Sequence, residues 1–106
     1  MKDSLTQAHI AGLRWSILRT LLVGGHLGAT DQMCLDVGRS EYLGVTMARM
    51  RTELDYLESR KLVSIERSEV HAWRAKLTRY GRDFVDYEID AEPGITRPPR
   101  LDPTGG

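Results

Sequence analysis

Apolar residues recur along this chain first with a helical period and then with a period of two. Ile10, Leu13, Ile17 and Leu21 are spaced by three, four and four, and Leu18 and Leu22 widen the stripe. Such spacing puts them on one side of a helix packed against a core, and it predicts a helix over 5–23. Ser4 and Gln7 match a capping box, which satisfies otherwise unpaired amides at a helix start. Gly24-Gly25 ends the helix, since glycine tolerates left-handed backbone. After a short loop over 26–29, Thr30 offers an N-cap and Asp31 suits the positive end of a helix dipole. A second helix is expected over 31–43, with Met33, Val37 and Leu43 inward and a break near Gly38 as the alternative. Thr46 caps a third helix over 46–60. Met47, Met50, Leu54 and Leu57 share its inner face, while Ala48, Thr52, Asp55 and Ser59 lie opposite, flanked by Arg49 and Tyr56.

The period then shortens. Residues 62–67 and 72–77 alternate around a polar tip at Ser68 and Glu69, the pattern of a β-hairpin. Thr78 caps a last helix, with Tyr80, Phe84, Val85 and Ile89 as its apolar side and Gly81 in its first turns. From residue 91 the prolines (Pro93, Pro98, Pro99, Pro103) and Gly94, Gly105 and Gly106 support no regular element. The expected organisation is one α+β, mostly α domain over 1–90 and an extended or disordered tail over 91–106. The domain comprises three helices, a two-stranded β-hairpin and a C-terminal helix. Its second and third helices, joined by a glycine-containing turn, form a helix-turn-helix pattern.

The stretch Leu54-Asp55-Tyr56-Leu57-Glu58-Ser59-Arg60-Lys61-Leu62-Val63, followed by the hairpin and Leu77-Thr78-Arg79-Tyr80-Gly81, resembles bacterial regulators of the MarR and PadR type. In those proteins a recognition helix runs into a Leu-Val strand, and the wing returns to a Leu-Thr-x-x-Gly step. The resemblance covers about residues 30–88 and implies a winged helix-turn-helix fold. The sequence departs from the pattern at Lys61, where those regulators usually have glycine. Its short length and its Pro-Gly-Ile-Thr-Arg-Pro-Pro tail are most similar to a family of small winged-helix proteins encoded in Mu-like prophages. What this implies is a phage-borne, DNA-binding transcription regulator in the cytoplasm of a bacterial host. Winged helices also serve as protein-binding modules. The alternative is therefore an interaction module in phage assembly, DNA packaging or inhibition of a host factor.

Composition narrows the classes. The chain has 106 residues, 41% of them hydrophobic and 28% charged, which suits one globular core. Its longest apolar run is Leu21-Leu22-Val23, far from the ~18 residues of a membrane span, and Lys2, Asp3, Thr6 and Gln7 are too polar for a signal peptide. Fifteen basic residues balance fifteen acidic ones. The local field still differs along the chain, because residues 63–82 carry five basic and two acidic residues and residues 83–106 carry two and six. Cys34 has no partner for an internal disulfide, fits a reducing compartment and reads as a small buried residue. His9, His26 and His71 lack metal-ligand spacing, and Gly24-Gly25 and Gly28 lack the lysine or strand context of a phosphate loop. The chain thus reads as a non-enzyme without cofactor or metal.

Candidate DNA-binding residues follow from the helix-turn-helix pattern. Thr46, Ala48, Arg49, Arg51 and Thr52 lie on the N-terminal half of the third helix, the part that enters a major groove. Arginine can donate two parallel hydrogen bonds to guanine. The competing reading is a solvated face whose arginines pair with Glu53 or Asp55. Asp55 and Glu58 repel phosphate and confine contact to the first two turns. On the hairpin, Arg67, His71, Arg74 and Lys76 are candidate phosphate contacts, opposed by Glu69. Trp73 reads as core rather than as a stacking platform, and Trp15 as either an edge cover or a dimer seam. Arg97 and Arg100 form a basic arm for a minor groove or part of a disordered tail. A homodimer is expected, with the first and last helices in contact, because a single small domain reads few base pairs. A continuous positive face over the third helix and hairpin would favour DNA, whereas interleaved acids or an exposed apolar patch would favour a protein partner.

Overall fold

The computed structural model describes residues 5–100. The first apolar stripe becomes α1 (Gln7–Gly24), which buries Ile10, Leu13, Ile17, Leu18 and Leu21. Ser4 of the expected capping box lies outside the described residues. The N-cap is Thr6, whose Oγ1 accepts a hydrogen bond from the His9 amide at 3.2 Å. A short 3₁₀ turn (Gly25–Leu27) follows.

Thr30 caps α2 (Asp31–Glu41) by accepting from the Met33 amide at 3.1 Å. The helix does not break at Gly38, which is buried where α1 and α2 approach. A Cβ there would lie 2.9 Å from Leu13 Cδ1. The expected inward face is wrong. Asp31, Cys34, Leu35 and Gly38 are buried, while Met33 and Val37 are exposed and Leu43, beyond the helix end, is 88% exposed. Close packing on α1 admits the small residues Cys34 and Gly38 and turns the larger Met33 and Val37 outward.

Thr46 caps α3 (Met47–Ser59), accepting from the Arg49 amide at 3.0 Å. Met50, Leu54 and Leu57 are fully buried on its inner face. The helix ends in a left-handed turn at Lys61, with φ of 66°. There the Lys61 amide donates to the Glu58 carbonyl at 2.9 Å and the Leu62 amide to the Leu57 carbonyl at 3.0 Å. This is the paired closure for which glycine is the usual residue, and Lys61 adopts it without being glycine.

The hairpin is β2 (Val63–Glu66) and β3 (Arg74–Leu77), antiparallel, with Val63 opposite Leu77 and Ile65 opposite Ala75. A third strand, β1 (Ala29–Thr30), pairs with β3 and gives the order β1-β3-β2, where the sequence predicts only a loop. Two residues are too few to show a period. Thr78 then caps α4 (Arg79–Val85), accepting from the Gly81 amide at 3.0 Å and donating to the Lys61 carbonyl at 2.7 Å. Gly81 is needed by packing, because a Cβ there would collide with the Leu62 carbonyl oxygen. A second left-handed turn at Tyr87, φ 63°, stops α4 early. Tyr80, in the first turn of α4, is exposed, and Ile89 lies outside the helix whose apolar side it was expected to extend.

The segment after residue 90 carries no helix or strand, yet part of it is packed. Ile95 is buried, the Thr96 amide donates to the Ala11 carbonyl at 3.1 Å, and Arg60 pairs with Glu92 at 2.6 Å. Arg97 is not an arm: its Nη1 donates to the Phe84 and Ile89 carbonyls at 3.0 and 2.8 Å, and it lies over the Phe84 and Tyr87 rings. Trp15 meets the same two rings edge-on, so it covers the seam between α1 and the end of α4. Residues 101–106 of the expected tail lie outside the described residues. Across the described residues the result is a compact, mostly helical α+β fold of four α-helices and one three-stranded antiparallel sheet. None of these helices is long and apolar enough to cross a membrane.

Candidate nucleic-acid interface

The N-terminal half of α3 and the hairpin face each other across a cleft of about 620 Å³. Gln32 from α2, Met47 and Arg51 from α3, and His71 and Trp73 from the hairpin are among its lining residues. The cap at Thr46 sets where α3 begins, so its hydroxyl is committed to the helix. Ala48 and Thr52 are exposed one turn apart, and the Thr52 hydroxyl donates back to the Ala48 carbonyl at 3.0 Å.

The arginines of α3 are held from behind by buried carboxylates. Asp31 is 1% exposed, and its Oδ2 accepts from Arg51 Nε at 2.8 Å. The Asp31 amide in turn donates to the Trp73 carbonyl at 2.9 Å, so one residue ties α2, α3 and the hairpin together. The Arg51 guanidinium lies 4.7 Å from the Trp73 ring centroid and keeps its side chain 38% exposed. Among the described residues its two terminal amino groups make no hydrogen bond. Glu53, also 1% exposed, accepts from Arg14 Nε at 2.7 Å and from Arg49 Nη1 at 2.8 Å. Each buried charge is thus paired, which low-dielectric surroundings require.

Farther along α3 the surface is closed by its own charges. Arg67 pairs with Asp55 at 2.6 Å and Glu58 at 2.7 Å, and it lies 5.0 Å from the Trp73 centroid. Hydrogen bonds to Glu58 and then Asp55 push its pKa further up, so it stays charged at every accessible pH. Trp73 is half-buried against the core with two arginines near its ring, a role between the core and stacking readings. His71 is exposed at the hairpin tip, its amide donating to Ser68 Oγ at 3.0 Å.

The structure therefore brings Arg51 and His71 together in the cleft, with Arg67 beside Trp73 and with Ala48 and Thr52 exposed on the same helix as Arg51. Thr46 serves as the cap, and Arg49 is drawn through Glu53 to the α1 side, where Arg14 shares that carboxylate. The structure does not bring Arg74 and Lys76 to the cleft. They alternate with buried Ala75 and so occupy the outer face of the sheet, where Arg74 Nη1 donates to the Leu27 carbonyl at 3.1 Å. The sequence reading missed Asp31 as the anchor of Arg51, twenty positions away, and gave Gln32 no role. The Arg49–Glu53 pair was legible from its i, i+4 spacing. The α3 face is not a continuous positive surface: Asp55 and Glu58 interleave with Arg67.

A separate apolar groove of about 470 Å³ runs between α1 and α2, lined by Thr20, Val23, Met33 and Val37 among others. Val23 is 89% exposed, and Leu27 beyond α1 is exposed as well. Cys34 lies nearby on the buried side of α2. Burial, and secondarily the charge of Asp31, pushes its thiol up to about 12, so it is no nucleophile at neutral pH. Among the described residues no cluster of three or more His, Cys, Asp or Glu could hold a metal ion.

Comparison of the chain with family models, curated proteins and solved structures yields no match.

Proposed function

We propose that this protein is a winged helix-turn-helix DNA-binding protein, a phage-borne regulator whose α3 enters a major groove while the hairpin acts as the wing. The observation that carries the reading is the hold of buried Asp31 on Arg51 Nε, which orients the guanidinium at the start of α3 with its terminal amino groups unbonded among the described residues. A pre-oriented arginine loses little side-chain entropy on donating to guanine, and such a contact discriminates by ~1–3 kcal/mol. Exposed Ala48 and Thr52 beside it suit a thymine methyl or a phosphate oxygen. The Arg67 clasp on Asp55 and Glu58 confines contact to the first two turns of α3.

The test is fluorescence anisotropy of a labelled duplex. Affinity is expected to fall steeply as salt rises, because bound phosphates release counterions. Ala48→Glu, which places a carboxylate on the exposed face and touches nothing buried, is expected to abolish binding. Equal binding by this variant would defeat the reading.

A second reading, a protein-interaction module, is favoured by the interleaved acids of α3 and by the exposed apolar groove between α1 and α2. Homodimerisation, the other partnership proposed, would draw on that groove rather than on α4, whose Phe84 and Val85 are buried. Light scattering of wild type and Val37→Asp separates these cases: a dimer that dissociates in the variant assigns the groove to a second copy.

A further inference from the structure

Residues 92–97 form a strap, without helix or strand, along one flank of α3. Arg49, Glu53, Tyr56 and the C-cap Arg60 are spaced by four, three and four, so they fall within about 60° of one another around the helix. The strap grips this flank from its end backwards. Arg60 Nη2 donates to Glu92 Oε1 at 2.6 Å, and the Tyr56 hydroxyl donates to the Pro93 carbonyl at 3.5 Å. The Gly94 carbonyl accepts from Arg14 Nη1 at 2.8 Å, and Arg14 Nε in turn donates to Glu53 Oε1 at 2.7 Å. The Arg14 guanidinium lies 3.6 Å from the Tyr56 ring centroid. Gly94 has φ of 89°, and a Cβ there would lie 2.9 Å from the Tyr56 hydroxyl and 3.1 Å from Arg14 Nη1. Glycine is required at this point both by its backbone and by its neighbours.

Glu53 is only 1% exposed and divides its oxygens, Oε1 to Arg14 and Oε2 to Arg49 Nη1. One carboxylate between two guanidiniums leaves a surplus positive charge. The Arg14 side chain is 16% exposed and that of Arg49 29%, so the surplus reaches solvent more through Arg49, beside exposed Ala48 and Thr52. We infer that Arg14, placed by the strap, is a positioning residue for the α3 interface: by taking half of Glu53 it leaves the charge of Arg49 available to a nucleic-acid phosphate. Without Arg14 the buried carboxylate draws its neutralising charge from Arg49 alone, and the start of α3 loses one effective cation. The inference rests on the duplex reading of α3 and adds to it a control by residues 92–97.

The experiment is anisotropy of a labelled 20-base-pair duplex across a salt series, with the full chain and with each variant checked for fold by circular dichroism. Arg14→Gln is expected to lower the slope of log affinity against log salt by about one unit. Arg14→Lys, which keeps the charge, is expected to retain the wild-type slope. Arg14→Gln/Glu53→Gln removes the carboxylate as well, so Arg49 is released and the slope is expected to return to that of wild type. A purely structural role for Arg14 predicts no such recovery. An unchanged slope in Arg14→Gln, or a lowered slope that Glu53→Gln does not restore, overturns the inference while leaving duplex binding in place. Gly94→Ala, which drives a Cβ against Arg14 Nη1, leaves α3 itself untouched and carries the test if Arg14→Gln unfolds. It is expected to lower the slope, and a wild-type slope overturns the strap as the element that places Arg14. Absence of duplex binding by wild type at low salt is a different result, which overturns the reading of α3 and this inference with it.

Discussion

Asp31 and Arg51 are twenty residues apart, yet a 2.8 Å bond from Arg51 Nε to a carboxylate only 1% exposed joins the start of α2 to the start of α3. The Asp31 amide extends the link to Trp73 on the hairpin. Removing one partner of a buried pair leaves an uncompensated charge, which typically costs ~3–5 kcal/mol. Because Arg51 is partly solvated, Arg51→Ala is expected to lose about 3 kcal/mol in urea unfolding. Adding Asp31→Asn to that variant should recover much of the loss. Wild-type stability in Arg51→Ala would show that the pair holds nothing together.

Lys61 adopts a left-handed conformation that costs a side-chain-bearing residue ~1–2 kcal/mol, partly offset by its smaller unfolded-state entropy relative to glycine. Lys61→Gly is therefore expected to stabilise the domain by about 0.5–1 kcal/mol in chemical denaturation. Lys61→Val, β-branched at the same position, should destabilise it. A loss of stability in Lys61→Gly would contradict this account of the turn.

These two positions show what the sequence could reveal. The α3 stripe of Met50, Leu54 and Leu57, the caps at Thr30, Thr46 and Thr78, and the hairpin are local signals of period and hydrogen bonding, and the structure places them as expected. The inward face of α2 was misread because hydrophobicity favoured Met33 and Val37, while the distance to α1 favours Cys34 and Gly38. β1 escaped notice because its two residues take their order from β3. Arg49–Glu53 was legible at one helical turn, but Asp31–Arg51 and the Arg67 clasp depend on tertiary contacts between separate elements.

The segment after residue 90 is as irregular as expected, with no helix or strand among residues 91–100. Proline and glycine exclude regular structure but not packing, and Ile95 sits at the body of the fold. Ile95→Ala is expected to cost about 2–4 kcal/mol, as for other buried aliphatic truncations, seen as a lowered melting temperature. An unchanged melt would restore the disordered tail.

Cys34 carries a pH consequence. Burial holds its folded thiol neutral up to about 12, against an ordinary value of 9.0 in the open chain. Between these values the unfolded state has lost a proton that the folded state keeps, so this contribution to stability is full below pH 9 and declines as pH rises. Wild type should lose stability more steeply between pH 9 and 10.5 than Cys34→Ala, compared by urea midpoints. Parallel profiles would mean that the thiol is not protected.

The central claim is that α3 and the facing hairpin contact duplex DNA, and amide chemical-shift mapping tests it most directly. On addition of a 20-base-pair duplex at low salt, the ¹⁵N-labelled protein should show its largest shifts at residues 46–52 and 67–73. Shifts confined to the α1–α2 groove, or none at all, would contradict it.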